Sequence, residues 1–212
     1  KEDDIQKIEL IVTKKQNSIK DEIIELNRKY EEAATLKNKL QSAQRILENS
    51  NNYNVESSFK LEKQREVYVF GKTTMMQSYK NEKVSLEKWI DIIESAKERN
   101  LNIQGDILVS YHTEMFGQFI HRDCEVEFSI VVENDIKDAE VKKFGNFLAA
   151  NAIHVGDYSD IVHTYISLKR WIEENELMVD GPVTERFMLS PVDLPNTEQH
   201  IVKIIVPVKP RN

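Results

Sequence analysis

The first 49 residues contain no glycine and no proline, and their apolar residues recur at helical spacing. Between Ile19 and Ala33 the steps alternate between four and three residues, which is the heptad spacing of a coiled coil. The rhythm lapses at residues 14–18 and slips between Ala33 and Leu40, so continuous supercoiling is not expected. We predict one long helix over residues 1–50 that pairs with a second copy of the chain. A helix packed on its own domain is the alternative.

The period of the apolar residues changes after residue 50. Residues 51–62 are mostly polar and are interpreted as a linker. Beyond them the pattern reads strand, helix, strand, strand over about 65–133, and the same order returns over about 141–208. The predicted strands are 65–76, 106–116, 124–132, 141–155, 183–190 and 201–208, and the predicted helices are 84–100 and 157–176.

Two glycines align the two halves of this pattern. Gly105 precedes Val132 by 27 residues, and Gly181 precedes Val208 by the same interval. The closing strands then carry matching apolar faces, Val126, Phe128, Ile130 and Val132 against Val202, Ile204, Val206 and Val208. The predicted fold class is α+β: a long N-terminal coiled-coil helix followed by a pseudo-symmetric twin strand-helix-strand-strand domain. In that domain one antiparallel sheet carries a groove between two lobes.

One predicted strand face is apolar except for a carboxylate. Val183, Glu185, Phe187 and Leu189 alternate along the chain and should share a face. By the glycine alignment, the equivalent of Glu185 is the apolar Val109. A buried carboxylate is costly and its pKa rises unless a partner compensates. That partner is either a Lys, an Arg or a Tyr hydroxyl at the sheet edge, or a cationic aromatic ligand.

Aromatic residues on the predicted strands and helices could complete such a site by stacking and cation–π contact. From the residues alone, each is equally explained as ordinary core packing. The predicted ligand-binding residues are Glu185, Phe187, Tyr111, Tyr165, Trp89 and Val109.

The charge is unevenly distributed. The net charge is −7, and all of it lies in residues 51–212, because residues 1–50 hold ten basic and ten acidic side chains. This balance disfavours phosphate binding and favours cations. No apolar run of 18 residues and no signal peptide are present, so no membrane span is expected. The single cysteine, Cys124, fits a reducing cytoplasm.

Metal and cofactor motifs are not recognisable in the sequence. His112, His121, Asp123 and Cys124 are close along the chain, but their spacing matches no known ligand pattern. There is no Walker loop, no dinucleotide-binding glycine fingerprint and no nucleophile elbow. We therefore predict no metal site, no cofactor and no catalytic residues.

Three motifs follow one another in the second half. They are Y-x-x-L-x-x-W-I-E-E-N from Tyr165, G-P-x-x-E-x-F from Gly181, and I-V-P-V from Ile205. Together with the preceding helix they resemble the GyrI-like effector-binding domain of MerR-family transcription activators, the multidrug-sensing kind. The resemblance divides the chain into an antiparallel dimerisation helix (1–50), a linker (51–62) and the effector-binding domain (63–212).

The resemblance implies that the domain binds lipophilic, often cationic, compounds between its lobes. Glu185 falls on the family's ligand-contacting glutamate, Phe187 and Tyr165 fall on positions that often line the pocket, and Tyr111 is the first-half equivalent of Phe187. It also implies a cytoplasmic regulator in which the dimer helix relays binding to a winged helix-turn-helix domain. That domain lies outside this chain, so promoter DNA would be bound only through it.

Stand-alone members of the family suggest an alternative. They are hydrolases of drug-like molecules, in which Glu185 would act as a general base beside Tyr111 or Tyr165. The long dimer helix has little use in a solitary hydrolase, so the prediction is a binding protein and not an enzyme.

Overall fold

The computed structural model describes residues 2–50, 59–77, 82–120, 123–133 and 139–211. Within these ranges the chain begins with one long helix and continues with nine strands and three further helices. In order these are α1 (Glu2–Ser50), β1 (Lys60–Lys63), β2 (Val67–Gln77), α2 (Glu82–Glu98), β3 (Ile103–Tyr111), α3 (Gly117–Ile120), β4 (Asp123–Val132), β5 (Val141–Phe144), β6 (Leu148–Val155), α4 (Ile161–Glu174), β7 (Leu177–Val179), β8 (Val183–Leu189) and β9 (Ile201–Pro210). Short 3₁₀ turns at Tyr158–Asp160 and Thr197–Gln199 precede α4 and β9.

The strands form one antiparallel sheet in the order β1-β6-β9-β8-β3-β4-β2-β5, and β7 pairs with β9. The predicted α+β class is therefore confirmed, with a long N-terminal helix followed by an antiparallel-sheet domain. Residues 1–41 form one compact unit and residues 42–212 another. No helix among the described residues is long and apolar enough to cross a membrane.

The twin halves meet at the centre of the sheet, where β3 pairs with β8. Val109 lies directly opposite Glu185, and Tyr111 lies opposite Val183. In an antiparallel pair this register relates Val109 to Glu185 by a local two-fold axis, which is the equivalence that the glycine alignment predicted. The matched apolar faces of β4 and β9 both lie in one hydrophobic core, which α2 and α4 cover.

The two ends of the sheet are joined through very short connections. β1 and β2 are six places apart in the sheet, roughly 29 Å if the sheet were flat. Only residues 64–66 link them, which span at most about 14 Å. The sheet must therefore curl, and it is pinned where the N–H of Gln64 donates to Phe147 O and that of Asn146 donates to Gln64 O, both at 2.8 Å.

One prediction about this region is wrong, and another is corrected at one end. Residues 141–155 were predicted as one strand, but Gly145 (φ 115°) and Asn146 (φ 63°) break it into β5 and β6. Of the predicted linker 51–62, residues 51–58 lie outside the described residues, and residues 60–62 belong to β1, which pairs with β6 through Lys60 to Lys63. All four residues of β1 are exposed, so no alternation of apolar and polar side chains marked it as a strand.

A bulge moves one predicted residue to the other face of the sheet. Phe187 pairs with Val202, but Leu189 pairs with Ile201, so one extra residue lies in β8. Leu189 consequently leaves the face of Glu185. It belongs to a second apolar cluster with Ala43 and Ile201. The end of α1 therefore packs on the sheet domain, although the predicted boundary of that domain lay beyond residue 50.

Candidate functional site

Glu185 occupies the middle of the sheet and has no exposed surface. It lies on β8 with Val109 of β3 as its cross-strand partner, and Val109 is also fully buried. Both halves of the domain thus contribute to its surroundings, β3 from the first and β8 from the second. The alternative that gave this carboxylate a partner at a sheet edge is wrong about the position, because β3 and β8 are the central strands. Its tyrosine hydroxyl partner is confirmed.

Three tyrosine hydroxyls donate hydrogen bonds to the Glu185 carboxylate. Tyr111 from β3 and Tyr158 from the 3₁₀ turn bind Oε2 at 2.9 and 2.7 Å. Tyr165 from α4 binds Oε1 at 2.7 Å. In the part of the chain that the structure describes, no lysine or arginine pairs with this carboxylate. The charge is therefore balanced by neutral hydroxyl groups alone.

Burial raises the pKa of Glu185 to about 7, although the hydroxyl donors Tyr158, Tyr165 and Tyr111 each act to lower it. Protonated and ionised forms are therefore both populated near neutral pH. A positive charge placed beside the carboxylate would shift this equilibrium to the ionised form.

Aromatic rings surround the carboxylate. Trp89 from α2 packs on Phe187 with ring centroids 4.6 Å apart, and Tyr158 packs on the same ring at 5.9 Å. On the α4 side, Phe119 meets Tyr165 edge-on at 5.0 Å. All the predicted site residues, Glu185, Phe187, Tyr111, Tyr165, Trp89 and Val109, lie buried at the junction of the two halves. Their role in ligand binding stays a prediction.

Tyr158 is the residue that sequence reasoning missed. It lies in the polar stretch Asp157–Asp160, which hides its contribution to the core. One signal was available, because Tyr158 precedes Ile161 by three residues and Tyr165 by seven, which is one helical face. Phe116 and Phe119, which also contact Tyr165, were missed as well. Phe116 was predicted as the end of strand 106–116, but β3 ends at Tyr111. Phe119 lies in α3, which has only four residues and no readable period.

Two groups hold the turn that carries Tyr158. The side chain of Asp157 accepts from the N–H of Ser159 at 2.8 Å. His154 contacts Asp157 O through Nε2 at 2.9 Å and Thr164 Oγ1 through Nδ1 at 3.0 Å. Burial lowers the pKa of His154, which favours the neutral imidazole, and Nε2 then donates its proton because its partner is a carbonyl oxygen. His154 therefore ties the turn that carries Tyr158 to α4.

On the opposite face of the same sheet, carboxylates are paired with cationic side chains. Glu127 of β4 is also buried, but Lys142 Nζ lies 2.5 Å from it. Asp106 is bound by Arg186 Nε at 2.8 Å. Each of these carboxylates has a cationic partner within the chain. Glu185 therefore differs from Glu127 and Asp106 in having only tyrosine hydroxyls, and no cationic side chain, among its partners in the described residues.

The residues considered as metal ligands were His112, His121, Asp123 and Cys124. His112 lies 3.4 Å from Glu127, and Cys124 is buried in the main core. His121 lies outside the described residues. In the described ranges, no group of three or more His, Cys, Asp or Glu side chains could hold a metal ion.

A family model described as a GyrI-like small molecule binding domain matches residues 56–209 of the chain. The chain belongs to the GyrI-like family. Its Glu185 lies at the junction of the twin halves that make up this GyrI-like domain. A comparison with curated proteins found no match.

Solved structures share the GyrI-like fold at low sequence identity. The crystal structure of the EcmrR C-terminal domain is 18% identical with a TM-score of 0.61, over 72% of this chain and 97% of that chain. EcmrR in a cryo-EM complex with DNA has the same identity and TM-score, over 91% of this chain and 71% of that one. An uncharacterized conserved protein from Listeria innocua is 16% identical with a TM-score of 0.53, over 76% and 97% of the two chains. These matches establish the fold.

Proposed function

We propose that this GyrI-like domain binds a lipophilic cation at Glu185, between its two halves. The observation that carries the proposal is the buried carboxylate without a cationic partner. Burying an ionised carboxylate is unfavourable unless a charge compensates it, and aromatic faces attract cations. A positively charged aromatic compound would supply both the charge and the apolar surface that this site prefers.

Binding requires a side chain to move, because no atom of Glu185 is exposed. Tyr158 is half-buried and binds the carboxylate directly, so it is the partner of Glu185 that also reaches solvent. The three hydroxyl donors act in place of the ligand when none is bound. They stabilise the ionised carboxylate enough for it to be formed near pH 7, but not enough to make a cation unnecessary.

Tetraphenylphosphonium and tetraphenylborate test the proposal, because they share size and shape and differ in the sign of the charge. At 100 times its dissociation constant, the cation should stabilise the protein by about 2.7 kcal/mol, which raises Tm by several degrees. The anion should not stabilise it, because its charge would face the carboxylate. The measurements are thermal unfolding and calorimetric titration at pH 8. Equal affinity for both ions would contradict the proposal.

We further propose that the chain is the sensing part of a MerR-type transcription regulator. EcmrR, whose structure in complex with DNA matches 91% of this chain, supports this assignment. Packing of α1 supports a relay through the helix. Ala43 near its end packs in one cluster with Leu189, four residues beyond Glu185 on β8. A ligand that binds two arrangements of this contact with different affinity would shift α1.

The helix itself should form a homodimer. Its heptad residues are exposed, with exposed fractions of 52% for Ile23 and 71% for Tyr30. We expect light scattering to give twice the 24.7 kDa chain mass. Removing residues 1–41 should give a monomer that still binds tetraphenylphosphonium, because Ala43, Ile46 and Leu47 stay in place on the sheet. A full-length monomer, or a truncated dimer, would contradict this pairing.

We propose binding without turnover. Both oxygens of Glu185 already accept hydrogen bonds from tyrosine hydroxyls, which hold the carboxylate in a fixed position. This arrangement favours a binding site over a general base. Hydrolysis of a drug-like ester by the wild-type protein but not by the Glu185→Gln variant would favour the hydrolase alternative.

A further inference from the structure

Buried polar atoms without hydrogen-bond partners are uncommon in native proteins, so each one points to a missing partner. In the described ranges such atoms occur in three side chains, Trp89, Gln118 and Asn151. Asn151 still donates to Glu62 through its amide nitrogen. Trp89 Nε1 and both amide atoms of Gln118 have no partner.

Trp89 belongs to the shell around Glu185. Its ring lies 4.6 Å from that of Phe187, centroid to centroid, and Phe187 is two residues from Glu185 on the same strand face. The tryptophan is 5% exposed, so its indole N–H is also removed from solvent. The residues around Glu185 therefore include two uncompensated groups, a carboxylate that lacks a cation and, on the far side of the Phe187 contact, an indole N–H that lacks an acceptor.

We propose that the ligand carries a hydrogen-bond acceptor, such as a carbonyl oxygen, beside its positive charge, and that Trp89 Nε1–H donates to this acceptor. The inference rests on the proposed function, since it assigns the ligand's chemistry at the same site. A donor that loses its water on folding and gains no partner is unfavourable, and an acceptor on the ligand removes that cost. A compound with charge alone would leave the donor unpartnered. Trp89 is thus a specificity-determining residue, distinct from the charge recognition by Glu185.

Two matched probes test this inference. They are (4-acetylphenyl)triphenylphosphonium and (4-isopropenylphenyl)triphenylphosphonium, in which a carbonyl oxygen replaces a methylene group of the same shape. Titration calorimetry at pH 8 should show wild-type protein binding the acetyl compound about tenfold more tightly, the usual scale for one buried hydrogen bond. The Trp89→Phe variant, which keeps the ring and removes the N–H, should bind the two within about threefold of each other.

The control variants separate this donor from other causes. Trp171→Phe makes the same change at the other tryptophan, which packs on Phe59 at 6.1 Å, and should retain the preference. Gln118→Met should retain it as well. The indole ¹H–¹⁵N signal of Trp89, assigned from the Trp89→Phe spectrum, should move downfield with the acetyl compound and less with its analogue.

Several results would overturn the inference while leaving the proposed function intact. Equal affinity of wild-type protein for the two probes is one. A preference that survives in Trp89→Phe, or that disappears in Gln118→Met instead, is another. Failure of both probes and of tetraphenylphosphonium to bind would refute the proposed function itself.

Discussion

Tetraphenylphosphonium is expected to bind wild-type protein about tenfold more tightly at pH 8 than at pH 6, and the Glu185→Gln variant weakly at both. With a pKa of about 7, roughly a tenth of the Glu185 carboxyls are ionised at pH 6 and nine-tenths at pH 8. Affinity for a cation scales with that fraction. Removing one member of a buried charge pair costs at least about 2 kcal/mol, so the variant should lose roughly 30-fold or more at pH 8.

The ionisation of Glu185 should also lower the stability of the ligand-free protein as the pH rises, whereas it increases the affinity for the cation. Its pKa is raised from 4.5 to about 7, so the folded state holds the proton more tightly than the unfolded state. The resulting stabilisation is fully present below pH 4.5 and is lost as the pH rises through 7. Between pH 5 and pH 8 this loss amounts to about 2–3 kcal/mol in the free energy of unfolding. The Glu185→Gln variant lacks this loss.

Glu127→Gln is the matched control for both measurements. Glu127 is equally buried in the same sheet, but it is paired with Lys142. Its substitution should change the free energy of unfolding by no more than about 1 kcal/mol at pH 8, because the side chain of Lys142 is 54% exposed, and should not alter the pH dependence of cation binding. Urea unfolding and calorimetric titration at pH 5, 6 and 8 provide the data. A Glu185→Gln variant with the wild-type pH profile would show that this carboxyl does not titrate near neutrality.

The position of Glu185 in the sheet was predictable because it depends on register. Alternation along 183–187 and the spacing from Gly105 and Gly181 were sufficient to pair Glu185 with Val109 as symmetric equivalents. The apolar faces of β4 and β9 were also readable, since every second residue from Val126 to Val132 and from Val202 to Val208 is apolar. These features depend on local period, which the sequence contains directly.

The partners of Glu185 were less predictable, because they depend on tertiary contacts. Tyr111, Tyr158 and Tyr165 come from a strand, a turn and a helix, and no single period relates them. The choice between an internal cation and hydroxyl donors could not be made from one strand. The bulge that moves Leu189 to the α1 side likewise leaves no mark in the alternation of β8.

Closure of the sheet is the feature that the sequence pattern predicts least well. β1 precedes β2 in the chain but pairs with β6, and β5 precedes β6 but pairs with β2. Each half therefore gives its leading strand to the other half. The crossing, where residues 64–66 meet Gly145 and Asn146, is short and has little apolar periodicity. Only the backbone geometry of Gly145 reveals it.

That glycine leads to the second large effect, a strong destabilisation by Gly145→Ala. The backbone of Gly145 has φ 115°, and an added Cβ would lie 2.3 Å from the carbonyl oxygen of Arg65 and 2.8 Å from the Cα of Glu66. Both are backbone atoms at the crossing, so they cannot yield without displacing β1 or β2. We expect a loss of about 3 kcal/mol or more in the free energy of unfolding.

Gly156→Ala is the control that measures the cost of backbone strain without the steric clash at the crossing. Gly156 has φ 117°, nearly the same conformation, but an added Cβ there meets nothing within 4 Å. Its substitution should cost only the conformational strain, about 1–2 kcal/mol. Urea unfolding of the two variants and of wild-type protein at pH 7 measures the difference between the two losses of stability. That difference is the cost of the steric clash between the two crossing segments. Equal losses would mean that the contact between Gly145 and Arg65 is not required for the sheet to close.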